Sequence, residues 1–234
     1  MGKNIFIDKG ECEMQDLNKV TVIIPALNEE KNIGQVLEEI KRKQNIDEII
    51  VVDNASTDRT AQISKDHGAK VVLCEDKGKG YAMEKGLEEA RNEIVVFLDA
   101  DVKDYDEDII NILTNPIINE EADFVKSTFN RKEGGKVTEL VTKPMLNIIY
   151  PDMYKFSEPL SGMIAGKKSM LEKLYFEKDY GVDIGILLDV IKMGAKVKEV
   201  NIGSIENLSH ICKTTQRMQK MSTEIMKAIL KRIK

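Results

Sequence analysis

Cysteine is scarce and scattered in this chain. Cys12, Cys74 and Cys212 are the only three in 234 residues, and their separation excludes both a zinc knuckle and a dense disulfide framework. A reducing compartment suits such usage. Long apolar runs are missing too: none approaches the roughly 20 residues that a membrane helix needs, and "MGKNIFIDKGE" lacks the apolar core of a secretory leader. A cytoplasmic protein without integral membrane contact is therefore expected. Met1-Gly2 opens like a myristoylation signal, but Phe6 stands where that motif requires Ser or Thr. There is no basic excess. The net charge of −5 argues against nucleic acid as a bulk partner, because phosphate backbones reward basic surfaces. Nor is there an internal repeat or a low-complexity linker.

What is present is a chain with 42% hydrophobic residues, enough to bury one sizeable core. A polar leader occupies residues 1–19. From residue 20 an apolar strand, "VTVIIP", stops at Pro25. "NEEKNIGQVLEEIKRK" spaces Ile33, Val36, Leu37 and Ile40 helically, with acids early and bases late as a helix dipole favours. The alternation continues: "DEIIVVD" reads as a strand, "STDRTAQISKDHG" as a helix opened by a polar cap and closed by Gly68, and "AKVVLC" as a third strand. "GKGYAMEKGLEEAR" reads as a helix preceded by Gly78 and Gly80, and a fourth strand ends in "LDADVKD". Such alternation predicts an α/β fold with a largely parallel sheet and helices on both faces. The second half is less regular. "ADFVKSTF", "PLSGMIAG" and "KVKEVNIG" read as strands, "VTELVTKPMLNII" as a helix divided by Pro144, and "YGVDIGILLDVIKMG" as a helix capped by Gly194. The tail, 213–234, places Met218, Met221, Ile225, Ile229 and Ile233 on one helical face.

In open sheets of this kind, ligands bind beyond the carboxyl ends of the strands. "PALNE", "DNASTD", "DKGKG" and "DADVKD" all fall at that edge. Asp99 and Asp101 are separated only by Ala100, and neighbouring carboxylates resist losing water unless a positive charge joins them. They serve as turn or helix-cap residues or, placed at the ligand edge, as hard oxygen ligands for Mg2+ or Mn2+, which keeps few protein ligands and takes others from a diphosphate. Asp53, followed by Asn54, Ser56, Thr57 and Asp58, suits either an Asx-type turn or hydrogen bonds to a base or ribose. Lys79, between two glycines beside a helix start, is set to attract phosphate. His210 follows a strand with no helix-end role to explain it, whereas His67 has one. Asp183 opens a helix between small residues, as a helix-start acid or as a carboxylate facing a sugar. Arg131, Lys132 and Lys136, with Gly134, Gly135 and a helix starting near Val137 or Thr138, form a basic loop able to hold a small anion.

Together these segments resemble the GT-A glycosyltransferases, from about Val20 to His210. "VTVIIPALNEEKNIGQVL", "IIVVDNASTDRT" and "VVFLDADV" look like the general nucleotide-sugar half, about 20–103. "DFVKSTFNR", "GGKVTELVTKPML", "PLSGMIAG" and "YGVDIGILLDV", in an acceptor half of about 104–212, are similar to glucosyl-3-phosphoglycerate synthases, retaining enzymes that move glucose from a nucleotide donor to 3-phosphoglycerate. The resemblance implies a Rossmann-like GT-A domain in which Pro25, Ala26, Leu27, Glu29, Asp53, Asn54, Ser56, Asp99 and Ala100 surround the nucleotide and Lys79 meets its diphosphate. It implies that Asp101 and His210 ligate Mg2+ or Mn2+, and that Asp183, where the family usually has Glu, faces the donor sugar. It assigns Gly135, Lys136, Val137 and Thr138 to the acceptor, with Lys136 where Arg is common, a swap that keeps charge but loses the bidentate fork. It also implies a UDP- or GDP-hexose donor and a homodimer. Leu208, Ser209, Ile211 and Cys212 depart from the basic and Asn residues common around the family's histidine. Two rivals remain: a polyprenyl-phosphate acceptor, with the basic amphipathic tail lying on a membrane, and a nucleotide-sugar binder without turnover. Nucleotidyltransferases are set aside because "PALNEEKN" is acidic and lacks their glycine-rich first loop.

Overall fold

The computed structural model describes residues 19–42, 45–103, 105–106, 108–131, 135–153, 155–207 and 214–233. Strands β1 (Val20–Ala26), β2 (Ile46–Asp53), β3 (Lys70–Leu73) and β4 (Ile94–Phe97) form its parallel half, in spatial order β3-β2-β1-β4. The order is possible because helices carry each crossover: α1 (Ile33–Lys41), α2 (Thr60–Asp66) and α3 (Lys79–Glu89). Val22, Ile23, Ile24, Val51 and Val52 are fully buried, as expected for strands covered on both faces.

The sheet then becomes mixed. After β5 (Val102–Lys103), α4 (Ile109–Ile118) and β6 (Phe124–Arg131), the chain makes a π-helical turn (Thr138–Thr142), α5 (Lys143–Ile149), β7 (Ile164–Lys167), α6 (Lys168–Leu171), α7 (Val182–Lys192), β8 (Val197–Asn207) and α8 (Thr215–Leu230). β7 lies antiparallel between β4 and β6, and β6 pairs in parallel with β8. The two-residue β5 adds an antiparallel rung at the far end of β8, extending the seven-stranded main sheet to eight. Two apolar layers flank it. α1 and α4 cover one face through Ile33, Leu37, Ile110 and Leu113; α3, α7 and α8 cover the other through Met83, Leu87, Leu187 and Ile229.

Several boundaries differ from the sequence reading. β1 continues through Pro25 to Ala26, paired with Asp53. The carbonyl of Ile23 accepts from Leu98 on the β4 side and that of Ala26 from Asn54 on the β2 side. Alternation turns the proline nitrogen toward β4, whose ladder with β1 has ended at Phe97, so the missing N–H costs nothing. α3 begins at Lys79, which puts Gly80 inside the first turn. "PLSGMIAG" is strand only from Ile164. Pro144 does not divide its segment: the π-helical turn runs directly into α5, and the proline sits in the first turn of α5, where its missing N–H is tolerated.

The tail helix packs on its own domain. Ile225 and Ile229 are buried against α7, while Ile233 lies past the helix end and is 48% exposed. Arg232 turns inward instead, donating to both oxygens of Asp189 at 2.7 and 2.6 Å and to Glu177 at 2.8 Å. Its removal strands Asp189 in a poorly hydrated site, while Glu177 keeps Lys231 at 3.3 Å. Arg232→Met is expected to lower stability by about 3 kcal/mol, measured as a fall in the urea midpoint with unchanged slope.

Candidate active site

The site lies where β4 ends. Leu98 is still anchored to β1, and the next residue, Asp99, is held by its carbonyl, which accepts from the buried Tyr105 hydroxyl at 2.7 Å. Ala100 is buried, whereas Asp99 and Asp101 are half-exposed. Burial pushes the Tyr105 hydroxyl well above its ordinary pKa, with Asp99 and Asp101 adding to the rise, so it acts as a neutral donor.

Lys79 is delivered by a turn that only glycines allow. Gly78 has φ +149°, and a Cβ there would lie 2.1 Å from the carbonyl oxygen of Lys178; at Gly80 it would lie 1.7 Å from that of Glu177. The crossing segment is bonded to the turn, with Gly80 donating to the Lys178 carbonyl at 3.1 Å. From the other side, Asn54 accepts from Gly78 at 2.7 Å and donates to the Asp76 carbonyl at 2.6 Å. Lys79 Nζ is thereby set between Asp99 Oδ1 at 3.2 Å and Asp183 Oδ2 at 3.1 Å. Burial alone would depress its pKa, but the two carboxylates override it and raise the lysine above its ordinary value. Lys79 is a fixed cation.

Asp183, in the first turn of α7, is 8% exposed. Its second oxygen, Oδ1, is buried without a hydrogen-bond partner. Burial raises its pKa, against the pull of Lys79 and Lys126. Buried carboxylate oxygens are rarely left unpaired, and such an atom beside an ion-paired lysine is one a ligand hydroxyl can satisfy. Gly162 walls this cluster: a Cβ there would stand 2.2 Å from Lys79 Nζ and 2.7 Å from Asp99 Oδ1.

The first two loops interlock. Ser56 Oγ accepts from Asn28 N–H at 3.0 Å, and Thr57 N–H donates to Asn28 Oδ1 at 2.8 Å. Asn28 and Ala55 both hold positive φ, +57° and +58°, a conformation that tertiary contacts must impose on non-glycine residues. Asp53 Oδ1 accepts from Ser56 N–H at 3.3 Å, the local turn; the amide of Asn54 is spent on the 76–78 segment. Pro25, Ala26 and Glu29 line the same edge, and Leu27 is 42% exposed.

Glu29 reports on the electrostatics there. Burial raises its pKa to about 6, the Asn32 hydrogen bond opposes, and Asp101 and Asp58 add repulsion. A carboxylate pair that repels in a partly dehydrated corner gains from a hard divalent cation. Among the described residues no cluster of three or more His, Cys, Asp or Glu side chains forms a cage. His210 lies outside the described residues, as do Lys132 and Gly134 of the basic loop. Gly135 (φ +75°) accepts from Glu139 N–H at 2.9 Å, so Gly135, Lys136 and Val137 lead into the π-helical turn in which Thr138 is buried. Sequence reasoning missed Gly162, Tyr105, Ser161 and Lys126. For Lys126 a signal existed: a lysine centred in the apolar strand "DFVKSTF".

A parallel half-sheet that brings an acidic turn and a lysine to one edge, continued by a mixed half that brings the acid Asp183 to the same edge, has the GT-A glycosyltransferase fold. Residues 21–178 match Glycosyl transferase family 2, and the chain belongs to that family. Within it, the likeness is to glucosyl-3-phosphoglycerate synthases: that of Petrotoga mobilis is 33% identical over 246 aligned positions, covering 94% of this chain and 75% of the relative. The crystal structure of the Mycobacterium tuberculosis enzyme with phosphoglyceric acid superposes with a TM-score of 0.86 at 32% identity, covering 92% of this chain and 80% of that one. Its complex with Mn2+, UDP-glucose and phosphoglyceric acid gives 0.84 at 31% identity, covering 92% and 79%.

Proposed function

We propose that this protein transfers glucose, with retention, from UDP-glucose to 3-phosphoglycerate. The observation that carries the reading is Lys79 held between Asp99 and Asp183 at the ligand edge, with one buried Asp183 oxygen left over. In this scheme Pro25, Ala26, Leu27, Glu29, Asp53, Asn54, Ser56, Asp99 and Ala100 build the nucleotide cleft, and Lys79 faces the diphosphate. Asp183 holds the sugar through a hydroxyl, and Gly135, Lys136, Val137 and Thr138 meet the acceptor. Asp101 and His210 would hold Mg2+ or Mn2+, and a cation bound there would supply neutralising charge for the leaving diphosphate, a contribution of several kcal/mol. The rest comes from orientation, which the glycine-locked lysine and the interlocked loops supply before substrate arrives. The domain spans 20–212, with α8 as a brace, in a cytoplasmic and homodimeric enzyme.

The burial of α8 against α7 speaks for this reading over a membrane-lying tail, and among the described residues no helix is long and apolar enough to cross a membrane. The test is a product assay with UDP-glucose, Mn2+ and 3-phosphoglycerate. Glucosyl-3-phosphoglycerate is the expected product and excess EDTA is expected to abolish it; full turnover in EDTA overturns the metal-dependent scheme, and donor binding without product favours a binder.

A further inference from the structure

Lys126 is fully buried in the middle of β6, at 0% exposure, between Ile164 of β7 and Glu199 of β8. Folding gives no return for an ammonium there, since a methionine of similar length fills the space without the loss of hydration. Its Nζ donates to the carbonyl of Ser161 at 2.7 Å. The Ser161 hydroxyl is in turn 2.6 Å from that of Ser127 and accepts from Met163 N–H at 3.2 Å. Ser161 is thus fixed at two of its oxygens, and the next residue is Gly162, the wall against Lys79 and Asp99.

On the glycosyltransferase reading above, we propose that Lys126 is a positioning residue for the transfer: its ammonium pins the Ser161–Gly162 turn that walls Lys79 and adds a second positive charge near Asp183, so that the unpartnered Asp183 oxygen is held in place for the donor sugar. The charges fit. Asp183 is faced by Lys79 from α3, Lys126 from β6 and Asp99 from the end of β4, and Lys126 also feels Glu199 from β8. Two cations thus oppose Asp183 and Asp99 before any ligand binds. Burial lowers the pKa of Lys126 to about 8, and Asp183 resists that fall more than any other group, so the lysine carries its proton at neutral pH.

The test uses Lys126→Met, which removes both charge and hydrogen bond, and Lys126→Gln, which keeps a donor and removes the charge. Affinities for UDP and UDP-glucose are measured by calorimetry with Mn2+, and kcat is followed from about pH 5 to 9. In both variants UDP affinity is expected within about threefold of the original. The gain in affinity that glucose adds should shrink, kcat should fall about thirtyfold or more, and the acid limb of the kcat profile should move to higher pH as Asp183 begins to take up a proton. An unchanged glucose contribution, or a fall in kcat with the acid limb unmoved, overturns the proposal. If the unmodified protein binds UDP-glucose and transfers glucose while the variants match it, only this inference falls. If the unmodified protein binds no nucleotide sugar, the glycosyltransferase reading fails and this inference with it.

Discussion

Asp101→Asn is expected to cut glucose transfer at least a hundredfold, about 3 kcal/mol, while the protein melts where it did before. The substitution keeps the volume and one side-chain oxygen and deletes the charge, so what it measures is electrostatic. Asp101 sits one residue beyond Ala100, which is buried, on a turn held by the bond from Tyr105 to the Asp99 carbonyl, and that bond does not depend on the Asp101 side chain. Two readings decide the matter: initial rates at saturating Mn2+, and the rise in melting temperature that Mn2+ with UDP produces. Both should collapse together. Rates unchanged in Asp101→Asn would remove the metal from this strand end, and with it the reason for placing two acids there.

That acidic turn was legible because it follows an uninterrupted apolar strand, and strand ends of parallel sheets collect ligands. β1 to β4 and their helices were legible from the apolar period and from Gly68, which closes α2 at φ +70°; the polar N-cap expected for α2 is not there, since Arg59 holds that position without a side-chain capping bond. The helix α4 was not. "DIINILTNPII" is apolar on nearly every side and carries Pro116 within the helix, so neither a helical nor a strand period stands out. The antiparallel insertion of β7 was also hidden, because pairing direction is a property of the partner and not of the strand. Lys79 and Asp183 were each visible alone, as a lysine between glycines and an acid at a helix start, but their separation of 104 positions conceals that they share one hydrogen bond. Gly162 was invisible for a subtler reason: its φ is not positive, and what demands glycine there is a side chain arriving from α3 and another from β4. Asn54 was legible as a polar residue at the ligand edge, but that its amide also clamps the 76–78 backbone was not. Long-range juxtapositions of this kind leave no trace in local pattern.

Gly162→Ala carries the other large expectation: activity down about a hundredfold with the fold intact. A methyl carbon at this position stands 2.2 Å from Lys79 Nζ and 2.7 Å from Asp99 Oδ1, contacts too short to persist, and 3.3 Å from Lys79 Cε. The atoms in the way are the ends of side chains, so the backbone of β7 and its turn has no need to move; Lys79 gives way instead. Once displaced, its ammonium leaves the midpoint between Asp99 and Asp183, and a misplacement of about 1 Å at a reacting centre is enough for a loss of this size. Circular dichroism and melting temperature should stay near the original, and UDP-glucose should bind more weakly than before. Gly194→Ala supplies the contrast. There φ is +77° with nothing within 4 Å of the added carbon, so the cost is backbone strain at the end of α7, about 1 kcal/mol of stability, with turnover unaffected. If Gly162→Ala behaves like Gly194→Ala, the Lys79 geometry is not what sets the rate; if the two separate, as steric contact with the ammonium requires, the glycine at 162 is there to leave room for the lysine.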